Sequence, residues 1–413
     1  MNVTTLVLFL VLVLSIGLTH MASPFLRRYA FRMRILDRPG GHKNHTRQIP
    51  LLGGVAMWFG LTVSVVFSLG ALYLLAKLNL LEASFSERYL ASMDISAKLL
   101  KIVAIIIGAT ALGMLGFYDD TVKNGLHYRT KFIVQFLAAA ALVASGLYVQ
   151  VFPWQWLNML ISLFWIVGIT NAFNLLDGMD GLAAGVAAIS ATGFLLLTVS
   201  YIPLYAAIVM AGIIGCCIGF LRYNFYPARV FMGDAGSLLL GFLMGVVAII
   251  ALNSAQPFAN GTVAVVPLLL LSIPIYDTFS VIVIRLRERR HPFVGDQNHF
   301  FHRLVQQGLS KRNTVVLLYS LNLVAVATAY SMFHVSWLGC SFFVTLTVAL
   351  YACVPRFVSM FQGKAIPAPS TSVELPEPKR VVLVAEGKQL VGDLEPEFDD
   401  HYLRERRESY TTG

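Results

Sequence analysis

Two amides and two carboxylates recur at three-residue intervals in the stretch NAFNLLDGMDGL: Asn171, Asn174, Asp177 and Asp180. On a helix, residues three apart are neighbours, so the four are expected to form a polar ridge that drifts around the helix as it descends. Gly178 and Gly181 then let the backbone open or turn. Ionisable groups at the end of an apolar segment are costly to keep unless they hold something, such as a cation or a charged substrate. The ridge is therefore read as one wall of a metal-dependent site for phosphate chemistry.

Further acids and imidazoles stand at comparable places. Asp119 and Asp120 end the segment LGFYDD; adjacent side chains point in different directions, so one can bind or position a reactant while the other supports it, unless both are a solvated helix end. Asp234 in FMGDAGS lies among the free N–H groups of a helix start. It is either a cap or, given the glycines, a place where a phosphate or metal approaches the backbone. Phe231 just before it offers a flat face to a base, or belongs to an interfacial aromatic belt. Asp277 lies about two turns inside its apolar run, which marks it as functional by default, with a secondary role and an unidentified partner. Asp296, His299 and His302 are spaced by threes, with Arg303 alongside. Zinc would need a third strong nitrogen or sulfur ligand, and the surrounding arginines favour an anion, so imidazoles donating to a diphosphate fit better. Near the start of the chain, His42, Lys43, His45 and Arg47 precede Pro50 and the Gly53–Gly54 pair. Cations beside a glycine-bearing helix N-terminus can cradle phosphate, and basic residues beside a bilayer can equally set topology and attract anionic headgroups.

The elements that must position these groups are membrane helices. The chain of 413 residues is 57% hydrophobic and 13% charged, with a mean hydropathy of +0.71. Eleven apolar runs of bilayer-spanning length fall near 3–20, 51–76, 98–117, 131–149, 153–172, 182–200, 204–222, 235–253, 262–284, 314–331 and 336–354. The first lacks a basic leader and has arginines on its far side, so it reads as a retained helix. Loops 21–50, 118–131, 222–229 and 285–313 hold nineteen Lys and Arg, whereas the opposite loops hold only Lys77 and Arg88. That bias predicts an all-α bundle of about eleven transmembrane helices, N-terminus outside and C-terminus cytoplasmic. The net charge of +9 is then mostly topology, and no nucleic-acid partner is called for.

Of 22 acidic residues, ten lie after residue 373 and three in the one long outer loop, leaving nine on or near the cytoplasmic side. Scattered surface charge would not sort this way; a cytoplasm-facing site built from several helix ends would. Cys216, Cys217, Cys340 and Cys353 sit in apolar runs without disulfide or metal-ligand spacing and read as small buried hydrophobes. The expected domains are a membrane body over 1–355 and a polar, largely disordered cytoplasmic tail over 356–413, with one short strand or helix.

In this order HTRQIPLLGG, GFYDDTVKNG, NAFNLLDGMDGLAAG, FMGDAGSLLLG and DQNHFFHRL resemble the polyprenyl-phosphate N-acetylhexosamine-1-phosphate transferases, membrane enzymes of glycosyltransferase family 4 that begin bacterial cell-envelope polysaccharides. The resemblance runs from about residue 37 to 330. It implies that Asn174 and Asp234 hold a catalytic Mg2+, with Mn2+ as an alternative. It implies Asp119 and Asp120 near the attacking lipid phosphate, Asp177 and Asp180 at the nucleotide, and His299 with His302 at the sugar diphosphate. Its partners would be a UDP-N-acetylhexosamine, a polyprenyl phosphate, the bilayer and, as an alternative to a monomer, a second copy. The location implied is the bacterial inner membrane, with the site on the cytoplasmic face. The reaction implied is transfer of a HexNAc-1-phosphate, GlcNAc-1-phosphate first among them, with release of UMP. The loop reads HFFH where a closer-spaced histidine pattern is frequent. It is more like the N-acetylhexosamine branch than the muramoyl-pentapeptide branch, whose donor use is the alternative. An ion-coupled transporter is a rival of a different class. It predicts acids near the bilayer midplane, whereas those of this chain gather at helix ends.

Overall fold

The computed structural model describes residues 3–37, 48–78, 80, 95–122, 125–255, 265–287, 299–332, 337–362, 383–385 and 388–390. The chain forms two units, Met1–Ala365 and Ile366–Gly413. The first is a helical bundle: α1 (Val3–Met33), α2 (Gly53–Lys77), α3 (Ile95–Thr121), α4 (Tyr128–Ala144), α5 (Gln155–Leu176), α6 (Leu182–Thr198), α7 (Leu204–Asn224), α8 (Gly233–Ala255), α9 (Val266–Leu270), α10 (Ser272–Arg287), α11 (Phe300–Gln306), α12 (Lys311–Ser331) and α13 (Trp337–Gln362). Among the described residues, helix covers most of each apolar run. Among the described residues, seven helices are both long and apolar enough to cross a bilayer. The chain is a multi-pass membrane protein.

The run over 262–284 is not one helix, as its apolar length suggests, but two. Pro274 has no N–H to give the Leu270 carbonyl four residues earlier, and its ring crowds that carbonyl. The helix breaks at Leu271, and Ser190 Oγ on α6 donates to Leu270 O at 2.6 Å. Asn322 on α12 in turn donates to Ser190 Oγ at 3.1 Å, so the break is stitched into its neighbours.

At the centre stands α8, whose apolar window Gly233–Ser254 is wholly buried, against 17% of that of α1. A helix apolar on every side must be enclosed, and α8 is enclosed by α2, α3, α5 and α6. Without a hydrophobic drive between helices in lipid, tight packing needs small residues at the contacts. Gly54 of α2 lies on the backbone of Gly236, and Gly116 of α3 lies on the backbone of Asp234 and Ala235; a Cβ at either would collide with it. The C-terminal ends of α3, α5 and α7 meet the N-terminal ends of α2, α4, α6 and α8.

Before α2, β1 (Leu36–Asp37) and β2 (Ile49–Pro50) pair antiparallel, Leu36 opposite Pro50. The segment leading into α8 docks beside them. Phe231 N–H donates to Pro50 O at 2.8 Å, while the N–H groups of Gly53 and Gly54 donate to Phe231 O and Met232 O at 3.0 and 2.9 Å. Two of the N–H groups at the start of α2, considered from sequence as part of a phosphate cradle, are thereby taken by backbone carbonyls. Its glycines serve close packing: Gly53 abuts the Phe220 ring and Gly54 the α8 backbone. In the second unit, β3 (Leu383–Ala385) pairs antiparallel with β4 (Lys388–Leu390). His42, Lys43, His45, Arg47, Asp296 and the remainder of the tail lie outside the described residues.

Candidate active site

The converging helix ends enclose a cavity of about 1550 Å³. Its acidic end is built from Asp119 and Asp120 on α3, Asn174 on α5, Asp177 and Asp180 in the turn that follows, and Asp234 on α8. Lys131, one turn into α4, bridges two of them: its Nζ lies 2.6 Å from Asp119 Oδ2 and 2.7 Å from Asp234 Oδ2. Asp119 Oδ1 also accepts the Leu126 N–H at 2.5 Å, which pins the end of α3 to the loop before α4.

Asp120 has a different task from its neighbour. Its two oxygens accept the backbone N–H groups of Asp234 and Ala235 at 3.0 and 3.2 Å, so it caps α8 from another helix. Asp234, considered as the cap of its own helix, is relieved of that work and turns its carboxylate to Lys131 and Asn174. Gly233 makes the arrangement feasible: its φ is +67°, and a Cβ there would strike the Asp120 carboxylate.

The four-residue ridge is shorter than its spacing suggests. The helix α5 ends at Leu176, Asp177 is its C-cap, and Gly181 reverses the chain at φ +78°. Only Asn171 and Asn174 are helical, and they face different partners. Asn171 pairs with Gln135 on α4, donating from Nδ2 to Oε1 at 2.5 Å. Asn174 Nδ2 donates to Asp234 Oδ1 at 3.0 Å and to Ser237 Oγ at 2.9 Å. Asp180 Oδ2 accepts the Ala228 N–H at 2.9 Å, and Asn224 Oδ1 accepts that of Gly181 at 2.9 Å. These two bonds fix the 177–181 turn against the segment that carries Phe231.

Charge in this corner is unbalanced. Burial pushes the Asp177 carboxyl well above its ordinary range, and the neighbouring carboxylates of Asp234, Asp120 and Asp180 push it further in the same direction. A divalent cation would relieve that repulsion. The donors present are hard oxygens: the Asp234 carboxylate and, after a half-turn of its amide, Asn174 Oδ1 facing the same point. Among the described residues no three His, Cys, Asp or Glu side chains form a complete metal cage.

Of the residues expected from sequence, Asp119, Asp120, Asn174, Asp177, Asp180, Asp234, Phe231 and His302 line this one cavity. Two expected at the diphosphate do not. His299 is buried and lies 2.8 Å from Asp277 Oδ2 through Nδ1, and Arg303 donates to Ser280 Oγ at 3.0 Å with its guanidinium 5.7 Å from the centre of the Phe300 ring. Both residues are held by α10, away from the cavity wall. Lys131 escaped the sequence reading, which counted it with the topological lysines. The signal was a cation inside the first turn of an apolar helix, one loop after an Asp pair.

The chain is similar to proteins whose functions are named. The model of glycosyl transferase family 4 matches residues 102–252. A protein of Bacillus subtilis named probable undecaprenyl-phosphate N-acetylglucosaminyl 1-phosphate transferase is 30% identical over 311 residues, covering 73% of this chain and 78% of the relative. The decaprenyl-phosphate N-acetylglucosaminephosphotransferase of Mycobacterium tuberculosis is 32% identical over 347 residues, covering 76% and 80%. The phospho-N-acetylmuramoyl-pentapeptide-transferase of Desulforudis audaxviator is 30% identical over 331 residues, covering 73% and 89%.

Proposed function

The chain belongs to glycosyl transferase family 4, and from that premise we propose that it transfers N-acetylglucosamine 1-phosphate from a UDP donor to a polyprenyl phosphate. An oxygen of the lipid phosphate attacks the β-phosphorus of the UDP-sugar. The bond from that phosphorus to the bridging oxygen breaks, and UMP departs with that oxygen, leaving a lipid-linked sugar diphosphate. The names of the Bacillus and Mycobacterium relatives support the sugar and the lipid. The observation that carries the reading is the junction of Lys131 with Asp119 and Asp234, beside Asn174, at the wall of the cavity. That space, about 1550 Å³, exceeds the roughly 300–1,000 Å³ of an ordinary ligand pocket.

Two polyanions must meet at a wall that is already acidic. Bound at Asn174 and Asp234, Mg2+ would draw off charge from the diphosphate and the departing UMP. Lys131 holds the carboxylates of Asp119 and Asp234 in register across two helices and neutralises part of their charge. Asp119 positions the lipid phosphate. A phosphate monoester has a second pKa of about 6, so the nucleophile is largely dianionic at neutral pH and needs little help from a strong base. Asp120 acts one step back, as the clamp on the start of α8. His302 donates to the sugar diphosphate, Phe231 lies under the base, and Asp177 and Asp180 line the nucleotide end. We further infer eleven crossings, N-terminus outside, in the bacterial inner membrane. The site then faces the cytoplasm and the product initiates a cell-envelope polysaccharide.

Purified protein with Mg2+, undecaprenyl phosphate and a panel of UDP-sugars tests this by separation of the nucleotide products. The reading expects UMP with UDP-N-acetylglucosamine. Release of UDP would mean sugar transfer without its phosphate, and no nucleotide release with any UDP-N-acetylhexosamine would refute the reaction.

A further inference from the structure

Asp277 is fully buried, and the chemistry above makes no use of it. Its Oδ2 lies 2.8 Å from His299 Nδ1, and its Oδ1 accepts the Phe300 N–H at 2.6 Å. One turn along α10, Ser280 Oγ accepts from Arg303 Nη2 at 3.0 Å. On the opposite side the Phe301 ring fills the space left by Gly178, where a Cβ would come within 2.7 Å of it. The short helix α11 is thus gripped between α10 and the turn that carries Asp177. Among the described residues, His302 is the side chain of α11 that lines the cavity.

We propose that Asp277 is a positioning residue for His302. Through His299 and the Phe300 N–H it fixes the start of α11, and so the place from which His302 meets the anionic substrate. A carboxylate buried in this way is stable only while paired, which makes the contact obligatory and the orientation of α11 single-valued. The inference rests on the reading of His302 as a donor to the sugar diphosphate.

The test is a double-mutant cycle on kcat/KM for the UDP-sugar, with melting temperature followed in parallel. Displacement of a reacting group by about 1 Å costs about 100-fold, so Asp277→Ala and His302→Ala should each lose about that much. Because Asp277 acts through His302, the double variant should fall no more than about threefold below His302→Ala alone. Asp277→Asn keeps an acceptor oxygen for the Phe300 N–H and should lose only about tenfold; if Asp277→Ala does not accumulate, the cycle is read with this variant by the same criterion. Losses that multiply in the double variant, or an Asp277 variant at the wild-type rate, overturn the positioning role and leave His302 in place. A wild-type rate in His302→Ala would instead remove His302 from the site reading, and the proposal with it.

Discussion

Asn171 and Asn174 stand one turn apart on the same helix, both beside a polar partner from another, yet the two places differ in kind. Asn171 and Gln135 form a neutral pair: each amide donates to the other, at 2.5 and 3.4 Å, and Asn171 also donates to Val167 O at 2.8 Å. Such a pair ties α5 to α4 inside an apolar bundle and balances its own demands. Asn174 instead meets the Asp234 carboxylate, in a corner crowded by the acids Asp120, Asp177 and Asp180, where Lys131 is shared between two carboxylates. Polarity inside a membrane protein therefore does not by itself mark a site. Charge that the surrounding protein leaves unbalanced does.

The difference can be broken from the charged side first. Asp234→Asn or Asp119→Asn should lower turnover by about 10³-fold or more, since the first removes a ligand of the cation and the second the group that places the lipid phosphate, while circular dichroism shows the helices intact. Normal rates in either variant would take that residue out of the mechanism. Lys131→Met should lose about 10²-fold, and Lys131→Arg should recover little, because a planar fork does not replace a point charge between two carboxylates. The amides sharpen the contrast. Asn174→Ala should lose about tenfold to 10²-fold in turnover with a small change in stability. Asn171→Ala should keep turnover within about twofold and destabilise the fold by about 1–3 kcal/mol, the cost of leaving buried Gln135 unpaired. An inactive but stable Asn171→Ala would erase the distinction.

The smallest expected effect is one of pH. The Asp177 carboxyl is raised by burial and by its acidic neighbours, so its protonated form is favoured in the folded chain relative to the unfolded. The stability this group contributes is fully present below the unfolded value of about 4 and fades as pH rises through the raised folded value. Without divalent cation, the melting temperature should drift down by a few degrees as pH rises through that window; with saturating Mg2+ the drift should shrink or reverse. A drift of the opposite sign would contradict the assignment of Asp177 to the acidic corner.

Much of this was legible in the sequence because the constraints are strong. Apolar length located the helices, whereas the glycines read as room for a phosphate serve close packing around α8. The acids at helix ends announced the cavity, since charge is tolerated there only with a purpose. What escaped depended on partners far apart along the chain. The spacing of Asn171 to Asp180 suggested one continuous ridge, but Gly178 and Gly181 end the helix and send its members to separate partners. Asp119 and Asp120 were expected to divide binding and support between them, but which one supports depended on α8, whose start Asp120 caps from 114 residues away. His299 was expected at the diphosphate; its Nδ1 lies against Asp277, 22 residues earlier, a partner that no local spacing announces. Lys131 was hidden by its type, because a lysine at a helix start is the ordinary mark of topology.

The central claim is that Asp234 and Asn174 hold one divalent cation in that unbalanced corner. Mn2+ binding to the purified protein, counted by electron paramagnetic resonance in the presence of UDP, tests it without reliance on turnover. The account predicts one tight Mn2+ per chain in the wild type and in Asn171→Ala, with that site lost in Asp234→Asn and weakened in Asn174→Ala. Undiminished Mn2+ binding in Asp234→Asn would contradict it.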